Sequence, residues 1–125
     1  MQTINESDLC QFIGTEQYFR HPIARKVVWT DGINYLFNNG AAWLVDEIAL
    51  AQMQPKVRNN QNLREFQLWT LKVTNKRGVL TLQEDSNRPN IIEKHFSTDF
   101  PLNEFHCYVE PLSETEMCIL LTSEH

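Results

Sequence analysis

Between residues 30 and 53 apolar side chains recur every three or four positions, whereas from Leu63 onward they alternate with a period of two. The chain therefore changes from helical to extended patterning near its middle. Ala41, Leu44, Val45, Ile48 and Gln52 form one stripe, with Asp46, Glu47 and Gln54 mostly outside it, which predicts a helix over about 41–53. Trp43 and Leu50, seven apart, widen the apolar surface, so this helix is expected to pack on two sides, with Trp43 in the interior. Asp46, on the flank of Trp43, is expected to bond its indole N–H, another chain element or solvent.

Upstream, Thr30 or Asp31 offers an N-cap to a short helix carrying Ile33, Leu36 and Phe37, closed by Asn38-Asn39-Gly40. The polar residues 1–10 read as loosely held. Asn5-Glu-Ser-Asp8 could cap a turn through Leu9, Phe12 and Ile13 that Gly14 stops. Residues 15–29 read as an extended or irregular lead-in, because Pro22 biases His21 away from helical angles and Val27-Val28-Trp29 is β-branched and aromatic. Alternation fails in that run, so it is expected as a short edge strand or a loop beneath the helices. Pro55 ends the long helix, and residues 56–62 read as polar linker.

In the second half, Trp69, Leu71 and Val73 share one strand face, with Phe66 and Leu68 on the other. Asn75-Lys-Arg-Gly78 turns the chain into a second strand over 79–83, completing a hairpin. Strands at 91–96, 104–110 and 117–122 follow. The last is apolar on both faces and is expected to be central or covered. This order predicts an α+β domain in two layers, with N-terminal helices packed on a C-terminal antiparallel sheet of four to five strands. At 125 residues, the chain matches one domain spanning 1–125.

With 42% of residues apolar, a disordered tail is excluded. No apolar run exceeds five residues, far below the roughly 20 of a membrane helix. The N-terminus has neither the positive start nor the apolar core of a secretory signal, so a cytoplasmic location without membrane contact is expected. Cys10, Cys107 and Cys118 form no Cys-x-x-Cys pair, two of them lie inside expected strands, and they read as buried free thiols.

The net charge of -5 is uneven, since eight of the 11 Lys and Arg fall within 56–94 and none after residue 94. Single spacing makes those cations a solvated sheet face answering the acidic C-terminal strands. Nucleic-acid binding is accordingly disfavoured.

The segments Gly14-Thr-Glu-Gln-Tyr-Phe-Arg-His-Pro22, Trp29-Thr-Asp-Gly-Ile33, Ala42-Trp-Leu-Val-Asp-Glu-Ile48, Phe66-Gln-Leu-Trp-Thr-Leu-Lys-Val73 and Thr98-Asp-Phe-Pro-Leu102 span most of the chain. Through them it resembles a small family of uncharacterised proteins encoded by bacteria and their mobile elements. The resemblance carries no catalytic or binding role to any residue. It implies one compact domain, an accessory gene product of a phage or plasmid.

Glu16, Tyr18, Arg20, His21 and Asp31 are the best chemical candidates. His21 could act as a base if Asp31 or Glu16 fixed its tautomer. The competing reading is that these side chains satisfy one another and nearby backbone. No nucleophile elbow surrounds any serine, and His21, His95, His106 and His125 show no metal-ligand spacing. Neither metal nor cofactor is expected.

The leading reading is a non-enzymatic protein-binding domain whose exposed anchors are Tyr18, Arg20, Trp29 and Tyr35. Its partner is another protein or a second copy. The first alternative is a small enzyme or ligand-binding protein using Glu16, His21 and Asp31. The second is single-stranded nucleic-acid contact through the basic middle segment, with Phe66, Trp69, Phe105 and Tyr108 as stacking rings near Arg64 and Lys72.

Overall fold

The computed structural model describes residues 4–125, so the expected loose start lies partly outside the described residues. Its strands are β1 (Phe19–Arg20), β2 (Val27–Trp29), β3 (Gln67–Thr74), β4 (Arg77–Gln83), β5 (Asn90–Ser97), β6 (Glu104–Pro111) and β7 (Met117–Leu121). They form one sheet in the order β1-β2-β7-β6-β3-β4-β5.

The α+β class holds, but the expected layout of N-terminal helices on an antiparallel C-terminal sheet of four to five strands does not. The lead-in supplies two strands, and β2 runs parallel to β7 with Val28 opposite Cys118. Alternation fails at 27–29 because all three side chains are buried. Such a run marks a strand covered on both faces, like β7 itself, and β2 is interior rather than an edge.

The last strand offers a second copy no open edge, since β7 lies between β2 and β6. The edges are β1, two residues long, and β5, whose middle carries Glu93, Lys94 and His95. Charges in mid-strand are how edges resist pairing with another copy.

The β3–β4 hairpin pairs Leu71 with Leu80 and Thr74 with Arg77. Its loop is Asn75-Lys76, both at positive φ, as a two-residue hairpin turn demands. Gly78, expected to close the turn, instead lies in β4 under the Phe96 ring, where a Cβ would come within 2.9 Å of Cε2.

The second layer covers one sheet face. Thr30 caps α2 (Asp31–Leu36) through the Ile33 N–H. A kink over Phe37–Ala41 follows, where Asn39 at φ -118 and Gly40 at φ 98 leave helical geometry, and α3 (Ala42–Ala51) starts beyond it. Leu44, Val45, Ile48, Ala49 and Ala51 of α3 join Trp69, Leu71, Leu80, Leu82, Cys107, Val109 and Ile119 of the sheet in one core. Each large aliphatic side chain so buried contributes roughly 1.5–3 kcal/mol. Trp43 is half-buried on the flank, edge-on to Phe96 with the ring centres 5.2 Å apart. Lys94 of β5 holds Glu47 of α3 at 2.7 Å beside it.

Residues 56–62 are not linker. Pro55 opens α4 (Pro55–Arg58), and Asn60 caps α5 (Gln61–Glu65) by accepting the Leu63 N–H at 3.1 Å. Val57 and Leu63, one from each helix, are buried and pin them beside the end of α3. Near the N-terminus, α1 (Glu6–Leu9) is capped by Asn5 as expected but ends before Phe12.

Candidate functional site

His21 is buried at 2% exposure, at the start of the turn that joins β1 to β2. Its Nδ1 accepts the Ile23 N–H at 3.1 Å and the Ala24 N–H at 2.9 Å. That leaves Nε2 to carry the proton, donated to Asp46 Oδ1 on α3 at 2.9 Å. Two amides occupy the lone pair a base would use, so His21 ties the β1–β2 turn to α3 instead of presenting a proton acceptor. Of the three partners open to Asp46 in the sequence, another chain element is the one found.

Glu16 and Asp31 do converge, but through backbone and without His21. Asp31 Oδ2 accepts the Glu16 N–H at 2.9 Å, while the Asp31 N–H donates to Thr15 Oγ1 at 2.9 Å. This exchange anchors the lead-in to the start of α2, and the Glu16 side chain is exposed. The expected Glu/His/Asp constellation is therefore split between two structural ties.

The four expected interface residues also separate. Tyr18 is exposed, and Arg20 reaches across the sheet edge to pair with Glu116, holding that carboxyl below its ordinary value. Trp29 is 4% exposed, stacked on Phe37 at 5.2 Å with its N–H donated to Asn34 Oδ1 at 3.1 Å, so it is core and not an exposed anchor. Tyr35 is half-buried and donates to Asp8 Oδ2 at 2.8 Å; burial, then that carboxylate, pushes its hydroxyl up.

The rings proposed for base stacking fall on opposite faces. Trp69 and Phe105 are in the core, while Phe66 packs at a tilt against Tyr108 on the far face, ring centres 4.9 Å apart, with His125 against both. Lys72 of that face stands opposite Glu104, as the expected charge answering required. Arg58 and Arg64 are instead helical.

An open cleft of about 1190 Å³ lies where the β1–β2 turn, the end of α3, α4, α5 and the β6–β7 turn meet. Sequence reasoning missed it. Its walls carry Arg25 and Lys26 on the sheet side and Arg58 and Arg64 on the helix side, with exposed Ile23 and Met53 between polar rims. Glu65, Glu114 and Glu116 also line it.

Buried Gln67 forms part of the floor through a two-way amide pair with Gln52, at 2.8 and 2.7 Å. Gln67 also donates to the Leu63 carbonyl at 3.1 Å and accepts the Trp69 N–H at 2.9 Å. Every hydrogen-bonding position of Gln67 is thereby filled, and the floor is a rigid lock between α3, α5 and β3. The lone apolar residues Val57 and Leu63 among cations and amides were the one signal for the helices that build this wall.

The lining residues include serine, threonine and lysine but no histidine, cysteine or aspartate, and the Glu116 carboxylate that accepts from the Ser113 hydroxyl at 3.3 Å is already held by Arg20. Burial pushes the Cys107 thiol far up and, with nearby carboxylates, raises Cys118 to about 12, which keeps both inert. Among the described residues, no three His, Cys, Asp or Glu are placed to hold a metal ion. No helix among them is long and apolar enough to cross a membrane.

These features define an α+β domain with a mixed seven-stranded sheet and a basic-walled cleft at one end. The chain belongs to the group described as Family of unknown function (DUF6876), whose model matches residues 3–125. No curated protein and no solved structure matches it.

Proposed function

We propose that this chain is a non-enzymatic protein-binding domain, an accessory protein of the cytoplasm of a bacterium or of its mobile elements, and that its partner docks in the cleft beneath α4 and α5. The observation that carries this reading is the cleft's size and lining. At about 1190 Å³ it exceeds the roughly 300–1,000 Å³ of small-molecule pockets, and it exposes Ile23 at 66% and Met53 at 51% within a polar rim. Apolar anchors ringed by polar groups suit a polypeptide segment.

The enzymatic alternative has no such support, because His21 spends its lone pair on two amides and Glu16 faces away from it. A random dodecapeptide library displayed on phage tests the proposal. Peptides selected on the native protein are expected to lose binding to Ile23→Asp/Met53→Asp, two exposed changes that leave the core intact. Peptides that bind both proteins equally, or a selection that yields none, would remove the cleft as the docking site.

A further inference from the structure

We infer that the cleft selects an acidic segment, one large apolar side chain flanked by aspartate or glutamate, and this inference rests on the docking role proposed for the same site. Four of the chain's 11 basic residues line this one depression: Arg25, Lys26, Arg58 and Arg64. Elsewhere the chain carries nearly twice as many acidic as basic side chains. Among the described residues none of the four makes an ion pair, whereas among the lining glutamates Glu116 is already held by Arg20, which lies outside the lining. Four uncommitted cations thus face two uncommitted carboxylates, Glu65 and Glu114.

The cations stand on both walls, with Arg25 and Lys26 on the β1–β2 turn and Arg58 and Arg64 on α4 and α5. A bound chain would therefore meet positive charge on either side of Ile23 and Met53, which fits acidic residues on both sides of an apolar anchor. Arginine forks can grip such carboxylates with two parallel hydrogen bonds. The saturated Gln67 offers the ligand nothing, so charge and apolar contact carry the selection.

A nucleic acid would use the same cations less well. No Phe, Tyr or Trp lines the cleft to stack a base, and Glu65 and Glu114 would repel every phosphate that passed them. A peptide brings backbone N–H groups that those two glutamates can accept.

The sequences recovered from the dodecapeptide library decide the matter. The native protein is expected to enrich Asp and Glu around one apolar position. Arg58→Glu/Arg64→Glu is expected to weaken those peptides roughly tenfold or more, and to enrich Lys and Arg when it is itself the target. Affinity for the acidic peptides should also fall with added salt. Neutral or basic peptides enriched on the native protein, yet still lost in Met53→Asp, would overturn the acidic preference and leave the docking site standing. Displacement of the selected peptides by a 12-nucleotide oligothymidylate would overturn it in favour of nucleic acid. Failure to recover any cleft-dependent peptide would remove both readings together.

Discussion

Replacing Gln67 with leucine isolates what a fully satisfied buried amide contributes to this fold. Gln67 is 1% exposed and engages Trp69, Leu63 and Gln52 at once. In Gln67→Leu the Trp69 N–H, buried at 1%, has no acceptor, which costs about 1–3 kcal/mol. The Leu63 carbonyl loses its side-chain donor for about 1 kcal/mol more, and the added apolar burial offsets part of the loss. A net destabilisation of about 2–4 kcal/mol is expected. With a urea dependence of ~1–3 kcal/mol/M, the midpoint should fall by about 1–2 M.

Gln52→Leu should cost much less, about 0.5–1.5 kcal/mol, because Gln52 is half-buried and Gln67 keeps both its other partners. The two changes together should fall short of their sum by about 1 kcal/mol, the share of the amide pair. Urea titrations followed by far-ultraviolet circular dichroism measure all three. A Gln67→Leu midpoint within experimental error of native, or a Gln52→Leu loss equal to it, would refute the account.

The start of α2 gives a second prediction: Glu124 accepts from the Thr30 hydroxyl at 2.6 Å, the Gly32 N–H at 3.0 Å and the Leu121 N–H at 2.9 Å, so Glu124→Ala should cost about 2–3 kcal/mol in the same titration. Gly32→Ala should cost a similar amount, because its Cβ would stand 2.6 Å from Glu124 Oε1. For the thiols, Ellman's reagent at mildly alkaline pH should titrate exposed Cys10 alone, and all three cysteines only after denaturation; three fast thiols in the native protein would contradict the packing. For pH, the Glu116 carboxyl lies below its ordinary 4.5 chiefly through its hydrogen bond from Arg20, and Glu104 through its bond to His106. Groups lowered in the folded state stabilise above their unfolded value and lose that contribution as pH falls through the folded one. The urea midpoint should thus drop on acidification below about pH 4.5, and less steeply in Arg20→Ala, whose Glu116 keeps only the smaller lowering from the Ser113 hydroxyl.

Local signals proved readable where packing and period coincide. The α3 stripe, the β3–β4 pairing and the double-sided burial of β7 all follow from side chains a few positions apart. The parallel contact between β2 and β7 joins residues 90 apart, and nothing in Val27-Val28-Trp29 names its neighbour. The same run excluded an amphipathic edge only if its lack of alternation was taken as burial on both sides.

The partner of His21 was hidden for a similar reason. Asp46 sits 25 positions away on the flank of α3, whereas Glu16 and Asp31 were closer in sequence and equally acidic. The cleft was illegible because its cations come in two separate pairs, Arg25 and Lys26, then Arg58 and Arg64. Each pair alone reads as ordinary surface charge. Only the short helices pinned by Val57 and Leu63 bring the second pair round to face the first.

The seat of β7 between β6 and β2 also sets an order of assembly. Hairpin contacts within β3–β4–β5 close short loops and can form early, but β2 gains its parallel neighbour only once almost everything between them has been laid down. β7, made after the other six strands of this sheet, therefore acts as a keystone, and a nascent chain short of it holds Val27, Val28 and Trp29 without their parallel neighbour. During translation those three side chains are the surface most in need of shielding from aggregation.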